Sequence, residues 1–442
     1  MDYLAILNVV IPVLNLVETR KWSEKRAFQT VLNWRRSTRH LRLSYSIVLE
    51  TIKRLNTIDK ILQTVYPEWS KNAPSVTVSN LLRFLLHWVK FGDGQNRIED
   101  VVRAARNYIG WRSLERFESG LGKLISFGLE EFLEGLDEYE RLSLSLFHPV
   151  WLIKYYMKLF GRRFALKLLK SNLVQPPVYI RLNTLKEDEA RILEQLRRDG
   201  IELAEVKGLS GVYRVGHAQR PLAATRSYRR GLFQIQDKSS CMAVWVANPR
   251  PGEDVLDVCA APGGKTSLIA SMMKNSGRII SLDYSKERMP LFMKRMRKLR
   301  VKNSSPLICD CAKPLPLKAK FNLVILDPPC SGTGVLMKYP SMKWRLSRPS
   351  FQRFHELQLR MLTHCADHVK RGGRLIYSTC SLTLEENEEV VNEFLLHRPD
   401  FEIGDVDQSI GLPGLTGLKD CRRLYPFLHE CNGYFIANLV KD

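Results

Sequence analysis

Two cysteines and a carboxylate lie in segments rich in proline, glycine and small hydroxyl residues: Asp327-Pro-Pro-Cys-Ser-Gly-Thr-Gly334 and Ser378-Thr-Cys-Ser381. A cysteine whose acidity is raised by its surroundings supplies a thiolate, a strong nucleophile toward an electron-poor carbon. Carbon 6 of cytosine is such a carbon. Adding a thiolate there makes carbon 5 enamine-like and able to attack an electrophilic methyl group. An acid near ring nitrogen 3 or the exocyclic amine would stabilise the adduct. The carbon 5 proton must then leave and the thiol be expelled. Two thiols and a carboxylate match these steps in kind. A free cysteine is more often a small buried hydrophobe, but two of them in strand-end loops beside a glycine turn favour the chemical reading. The residue types do not say which thiol does what. Methylation of an amino group would also use an Asp-Pro-Pro turn, with an aromatic residue where Cys330 stands.

The glycine turn is Asp257-Val-Cys-Ala-Ala-Pro-Gly-Gly-Lys-Thr266, at the end of an apolar run. Gly263 and Gly264 let backbone approach a ligand at the start of the next helix, where the helix dipole favours a carboxylate or phosphate. Gly264-Lys265-Thr266 copies the end of a nucleoside-triphosphate loop, and the apolar run ending at Asp327 imitates its magnesium carboxylate. That loop needs glycine where this chain has Cys259, and Pro262 removes a backbone N–H that would face a phosphate. The positions downstream favour an adenosyl cofactor. Asp283 ends the second apolar run 19 residues after Gly264, close to the ~20 expected of a carboxylate gripping ribose hydroxyls. Asp310 ends the third, where it could accept a hydrogen bond from an adenine amino group. Either aspartate alone could be a helix cap; their succession at strand ends favours the cofactor.

Elements must place these segments on one rim. Val255–Val258, Arg278–Leu282, Leu307–Cys309, Leu323–Leu326 and Arg374–Ser378 read as short apolar strands, with helical segments between several of them. That alternation predicts an α/β, Rossmann-like, doubly wound and mostly parallel sheet with its ligand beyond the carboxyl ends of the strands. Upstream, Trp151–Phe160, Arg163–Ser171 and Asp188–Arg198 read as helices, the last ending at Gly200, and Val178–Leu182 as a strand. Residues 1 to about 135 read as helix after helix, with apolar spacings of three and four in Ser46–Leu55, Ile58–Tyr66, Val76–Val89 and Ile98–Tyr108. Asp93-Gly94 and the pair Pro67 and Pro74 punctuate them. The expected organisation is an all-α domain over 1–140, a small α+β subdomain over 148–250 and a methyltransferase domain over 251–442. Asn8, Pro12 and Asn15 interrupt the apolar stretch Tyr3–Val17, which reads as a core helix or two rather than a signal peptide or membrane span.

The chain has 442 residues with 45% hydrophobic content, enough for two or three packed domains. Its net charge is +22, and residues 151–350, with 37 basic and 15 acidic side chains, supply all of it. Residues 1–150 carry +4 and residues 351–442 carry −4. Such an excess calls for a polyanionic partner, and places the surface that meets it in the middle section. The nine cysteines lie between Cys241 and Cys431 with no Cys-x-x-Cys pair. That argues against a disulfide framework or a zinc ribbon and fits a reducing cytosol. A cytoplasmic monomer without metal or membrane partner is expected.

The three motif segments strongly resemble the Sun/Fmu family of RNA cytosine-C5 methyltransferases. So do Tyr179-Ile-Arg-Leu-Asn-Thr184, Gln234-Ile-Gln-Asp237, Arg423-Leu-Tyr-Pro426 and Gly433-Tyr-Phe435. The likeness covers about residues 148–442, and the helical N-terminus resembles the NusB-type RNA-binding domain of the family's bacterial ribosomal enzyme. The resemblance implies that Cys380 is the nucleophile adding to carbon 6 and that Cys330 assists release of the methylated product. By analogy with DNA enzymes, Asp-Pro-Pro-Cys points to the opposite assignment. Asp327 is implied to hold the cytosine edge. Cys259, Ala260, Ala261, Pro262, Gly263, Gly264 and Lys265, with Asp283, Asp310 and Asp327, are implied to bind S-adenosyl-L-methionine. Arg181 and Asn183 are implied to sit in a small mixed domain that helps hold RNA. Ribosomal RNA is the favoured substrate and transfer RNA the second. A DNA cytosine methyltransferase normally keeps one catalytic thiol, in the Pro-Cys turn. A non-catalytic RNA-binding or assembly factor has no need of the glycine turn and both thiols. Replacing Asp283 by alanine is expected to weaken S-adenosylmethionine binding by about 1–3 kcal/mol, the cost of stranding buried hydroxyls; calorimetry giving an unchanged affinity would remove Asp283 from the site.

Overall fold

The periodic apolar segments of the N-terminal region fold as helices in the computed structural model, which describes residues 1–34, 40–70, 72, 74–92 and 98–442. The Asp93-Gly94 turn lies outside the described residues. The chain divides into two compact units: Met1–Val174 with Leu336–Arg345, and Gln175–Val335 with Leu346–Asp442. In the first unit, Tyr3–Thr19 is a single helix that runs through Pro12, capped by the Asp2 carboxylate, which accepts from the Ala5 N–H at 2.9 Å. It buries Ile6, Leu7, Val10, Ile11 and Leu14, each contributing about 1.5–3 kcal/mol through area removed from water. Glu24–Trp34, Leu41–Lys53, Val76–Phe91 and Ile98–Ile109 pack against it, and Leu55–Val65 packs against Val76–Phe91. Residues 336–345 lie within this unit as a strap. The Ser341 N–H donates to the buried Glu24 carboxylate at 2.7 Å, and Trp344 Nε1–H donates to the Ile52 carbonyl at 2.6 Å. Arg345 donates to the carbonyls of Val17, Lys21 and Trp22.

The second unit holds two sheets. The smaller comprises β1 (Tyr179–Leu182), β2 (Ile201–Glu205), β3 (Val212–Ala218) and β4 (Phe233–Ile235), in the order β2-β3-β1-β4 and antiparallel throughout. A helix over Glu189–Arg198 covers it, capped by Asp188 and stopped at Gly200, whose φ of +72° suits glycine. Only β1, buried along its whole length, reads as a strand in the sequence. The charged and partly exposed β2 and the three-residue β4 do not.

The larger sheet contains β5 (Asp254–Val258), β6 (Arg278–Asp283), β7 (Ser304–Ile308), β8 (Phe321–Leu326), β9 (Val369–Thr379), β10 (Phe401–Ile403), β11 (Leu412–Pro413), β12 (Arg422–Leu424) and β13 (Tyr434–Lys441). Its order is β11-β12-β13-β9-β8-β5-β6-β7, with β10 paired to β13. Strands β5 to β9 are mutually parallel, as the doubly wound reading requires. Four antiparallel strands extend the sheet beyond β9. From β5 the chain moves outward to β6 and β7, then returns to β8 on the other side of β5. The carboxyl ends of β5 and β8 thus flank the switch point at which such sheets bind ligands.

Three loops meet on that rim with no room for a side chain between them. The Gly334 N–H donates to the Cys380 carbonyl at 2.9 Å, and the Gly433 N–H donates to the Gly334 carbonyl at 2.8 Å. A Cβ on Gly334 would stand 2.1 Å from the Gly433 carbonyl oxygen. Gly334→Ala is therefore expected to destabilise this unit by about 1–3 kcal/mol, as overpacking does. A denaturant midpoint equal to that of the parent protein would mean that the three backbones are not pressed together.

Candidate active site

The glycine turn leaves β5 with Cys259 in the left-handed region at φ +65°, and Gly263 at φ +97° caps the helix Gly264–Met272. A Cβ on Gly263 would lie 2.4 Å from the Met296 methyl carbon. Asp283, 1% exposed at the end of β6, reaches the same turn: one oxygen accepts from the Ala261 N–H and the other from the Ser285 N–H, both at 3.0 Å. Asp257 is buried beneath it and accepts from Thr266 Oγ1 at 2.5 Å. Burial pushes the Asp257 carboxyl up to about 7. A buried carboxylate beside a glycine turn and a helix N-terminus is a donor set that suits the hydroxyl and carboxylate groups of an adenosyl amino acid. Asp310 stands differently. It lies two residues beyond β7, is exposed, and accepts from the Ala312 N–H at 3.1 Å.

Lys265, expected among the cofactor residues, turns to the other loop. Its Nζ donates to Asp327 Oδ2 at 2.5 Å and lies 5.7 Å from the centre of the Tyr434 ring. Burial opposes the charge on this ammonium, but Asp327 and Tyr434 more than offset it and hold Lys265 charged. The Tyr434 hydroxyl donates to Asp327 Oδ1 at 3.3 Å and is 3.2 Å from Ser378 Oγ. Both Asp327 oxygens are thus oriented, one by a cation and one by a neutral donor.

The two thiols stand together. Cys330 Sγ and Cys380 Sγ are 3.1 Å apart in half-buried loops at the ends of β8 and β9. The bond to Cys380, then burial, pushes the Cys330 thiol up, and either sulfur can supply the hydrogen between them. Two thiolates at this separation would repel, so any thiolate of the pair has a protonated neighbour.

What holds the pair is a set of residues whose role the sequence does not reveal. Glu386, fully buried, accepts from the Ser331 N–H at 2.8 Å and Gln358 Nε2 at 3.1 Å through one oxygen. Its other oxygen accepts from Ser381 Oγ at 2.7 Å and Thr383 Oγ1 at 3.0 Å. Ser331 and Ser381 each follow one of the cysteines. Asn387 donates to the carbonyls of Ser381 and Thr383 and accepts from Thr379 Oγ1 at 2.6 Å. Arg423 is fully buried against Glu388 and donates to the carbonyls of Leu382 and Thr383 at 3.0 and 3.1 Å. The run Glu385-Glu386-Asn387-Glu388-Glu389 resembles the acidic, solvated first turn of a helix. Its proximity in sequence to Cys380 is the only signal that could have pointed to it.

Arg181 lies on β1 of the small sheet and Asn183 directly follows it. Both are buried, at 3% and 2% exposure, and their side chains are engaged within the protein. Arg181 donates to Gln236 Oε1 at 3.1 Å and to Ser267 Oγ at 2.8 Å. Asn183 donates to the carbonyls of Gly231 and Leu299 at 2.9 and 3.0 Å. They tie the small sheet to the helices Gly264–Met272 and Met289–Leu299.

The family described as 16S rRNA methyltransferase RsmB/F matches residues 244–440, and the RsmF/B-like ferredoxin-like domain matches residues 148–213. A probable ribosomal RNA small subunit methyltransferase B of Bacillus subtilis (strain 168) is 31% identical over 404 residues, which cover 89% of each chain. The chain belongs to the RsmB/F methyltransferase family. The 25S rRNA (cytosine-C(5))-methyltransferase nop2 of Schizosaccharomyces pombe is 34% identical over 66% of this chain. The RsmB/F chain spans only 42% to 50% of the length of that protein and of three animal relatives. The crystal structure of PH0851 shares the fold, with a TM-score of 0.87 at 26% identity over 99% of each chain.

Within this RsmB/F site, Glu386→Ala would leave the donors of Ser331, Gln358, Ser381 and Thr383 without an acceptor, at a cost of about 1–3 kcal/mol for each that finds no water. Methyl transfer is expected to fall well over tenfold while affinity for S-adenosylmethionine changes little. Turnover equal to the parent's would show that Glu386 does not set the thiol geometry.

Proposed function

We propose that this chain transfers a methyl group from S-adenosyl-L-methionine to carbon 5 of a cytosine in RNA, through a covalent bond between Cys380 and carbon 6. The observation that carries this reading is the pair of thiols 3.1 Å apart on the rim that also bears Asp327 and the glycine turn. Ribosomal RNA is the favoured substrate, as the names of the bacterial and yeast relatives suggest, with transfer RNA second. The enzyme acts as a cytoplasmic monomer.

The glycine turn from Cys259 to Gly264 and the buried Asp283 would hold the cofactor, with exposed Asp310 at the adenine end. When bound, the cofactor supplies an electrophilic methyl group. The protein's own part begins with Asp327. Fixed by Lys265 and Tyr434, it accepts from the exocyclic amine and orients the ring. Cys380 Sγ bonds to carbon 6, and the electron pair released into the ring makes carbon 5 a nucleophile. After methylation the carbon 5 proton passes to water, its bonding pair re-forms the carbon 5–carbon 6 double bond, and the carbon 6–sulfur bond breaks with its electron pair on sulfur. Cys330, beside the departing sulfur, hands its proton to the Cys380 thiolate, favouring release over re-addition, and regains a proton from water.

This mechanism separates the two thiols. Cys380→Ala should give neither methyl transfer nor an adduct. Cys330→Ala should still add and methylate but release slowly, so that protein linked to RNA accumulates and survives denaturing electrophoresis. The reverse pattern would swap the roles. Adduct in neither variant, with both still active, would defeat the thiolate mechanism. Bisulfite sequencing of RNA from a deletion strain locates the modified cytosine, and the same assay on DNA excludes or admits a DNA substrate.

A further inference from the structure

The excess charge of the middle section is not spread evenly. On the helix Met289–Leu299, Leu291, Lys294, Arg295 and Lys298 follow one another at spacings of three, one and three, and so share a face. Leu291 is 61% exposed. Arg300 follows at the helix end, and two further cations lie beside strands of the small sheet: Lys186, just after β1, and Arg230, just before β4. These groups are close enough to act on one another. Burial, then Arg300 and Arg230, pushes the Lys186 ammonium down; burial, then Arg295, Lys186 and Lys294, pushes Lys298 down. Among the described residues, Glu187, 3.3 Å from Arg230, is the one carboxylate that forms an ion pair with any of the six.

Packing, not charge pairing, holds the cluster. Asn183 bonds the carbonyls of Gly231 and Leu299, which flank Arg230 and Lys298, and so binds the two cation-bearing elements together. Lys186 Nζ donates to the Arg230 carbonyl at 2.5 Å, and Lys298 Nζ lies 3.8 Å from the centre of the Tyr228 ring. Basic residues at a helix C-terminus ordinarily complement the helix dipole, which would account for Lys298. It does not account for Lys294 and Arg295 in mid-helix or for cations brought from other elements. Self-repulsion on this scale is relieved by a polyanion, whose phosphates release counterions on binding.

We propose that Lys186, Arg230, Lys294, Arg295, Lys298 and Arg300 form a phosphate-binding surface for RNA that lies outside the target nucleotide. The proposal rests on the RNA reading above, and it assigns to Asn183 the task of holding the surface together rather than touching RNA. The test is binding of the full-length protein to a transcript of small-subunit ribosomal RNA over a range of salt concentrations. The triple variant Arg230→Gln, Lys294→Gln, Arg300→Gln is compared with Lys313→Gln, Lys318→Gln, Lys320→Gln, which removes the same charge from an exposed loop elsewhere in the domain. The first should lower the slope of log affinity against log salt by about 2, at ~0.7–0.9 for each phosphate no longer neutralised, with S-adenosylmethionine affinity unchanged as the control for folding. The second should change the slope by less than half as much. Equal changes in the two variants, or none in the first, would overturn the proposal. Loss of binding to a polyglutamate probe without loss of binding to the transcript would overturn it too, in favour of an acidic protein partner. If the parent protein binds the transcript but methylates no cytosine in it, the functional reading fails, and the slopes still decide the surface.

Discussion

A carboxylate without access to water must find donors inside the protein, since an unpaired buried charge costs several kcal/mol. Glu386 finds four, and they come from both sides of the thiol pair. The loop after β8 can supply the Ser331 N–H, and the loop after β9 the Ser381 and Thr383 hydroxyls, only when the two loops lie side by side. The separation of Cys330 and Cys380 is therefore set by the need to satisfy a third residue. The buried pair of Arg423 and Glu388 anchors the far side of the same loop, and Gly334 against Gly433 sets how closely the backbones approach. Hydrogen bonding, ion pairing and steric exclusion thus fix one geometry, and losing any of them would loosen the same two sulfur atoms.

The parallel core was legible because its strands are continuous apolar runs that end in chemically distinctive turns. Each of the five predicted runs is a strand, within a few residues at its ends. The antiparallel extension was not legible, because β10, β11 and β12 are two or three residues long and owe their conformation to pairing with β13 and with each other. In the site, the residues that could do chemistry carry visible signatures: cysteine after proline, aspartate at a strand end, paired glycines. The residues that position them carry signatures of something else. Glu386 looks like a solvated helix start, and Arg423, although it opens one of the motifs that carry the resemblance, gives no sign in the sequence of Glu388 as its buried partner.

Two residues changed their meaning in three dimensions. Lys265 follows the glycine turn and so reads as part of the cofactor loop, yet its ammonium serves Asp327 on the neighbouring strand end. Arg181 is implied by the resemblance to belong to a domain that helps hold RNA, and its own guanidinium bonds Gln236 and Ser267. Sequence places a side chain on an element and leaves open which way it points. The charge map of the whole section is more robust, since it depends on many side chains and not on the direction of any one.

Residues Leu336–Arg345 come late in the chain and yet complete the helical unit, with Trp344 bonded to the Ile52 carbonyl and Arg345 to carbonyls in the last turn of the first helix and just beyond it. On the ribosome this reverses the usual order of events. The first 174 residues emerge early, but the donors for these carbonyls are not synthesised until the glycine turn, the first Rossmann-like strands and Cys330 have already been made. A protein translated from its N-terminus generally folds its domains in the order they appear. Here the N-terminal unit must wait, incompletely packed, for a strap delivered from within its successor.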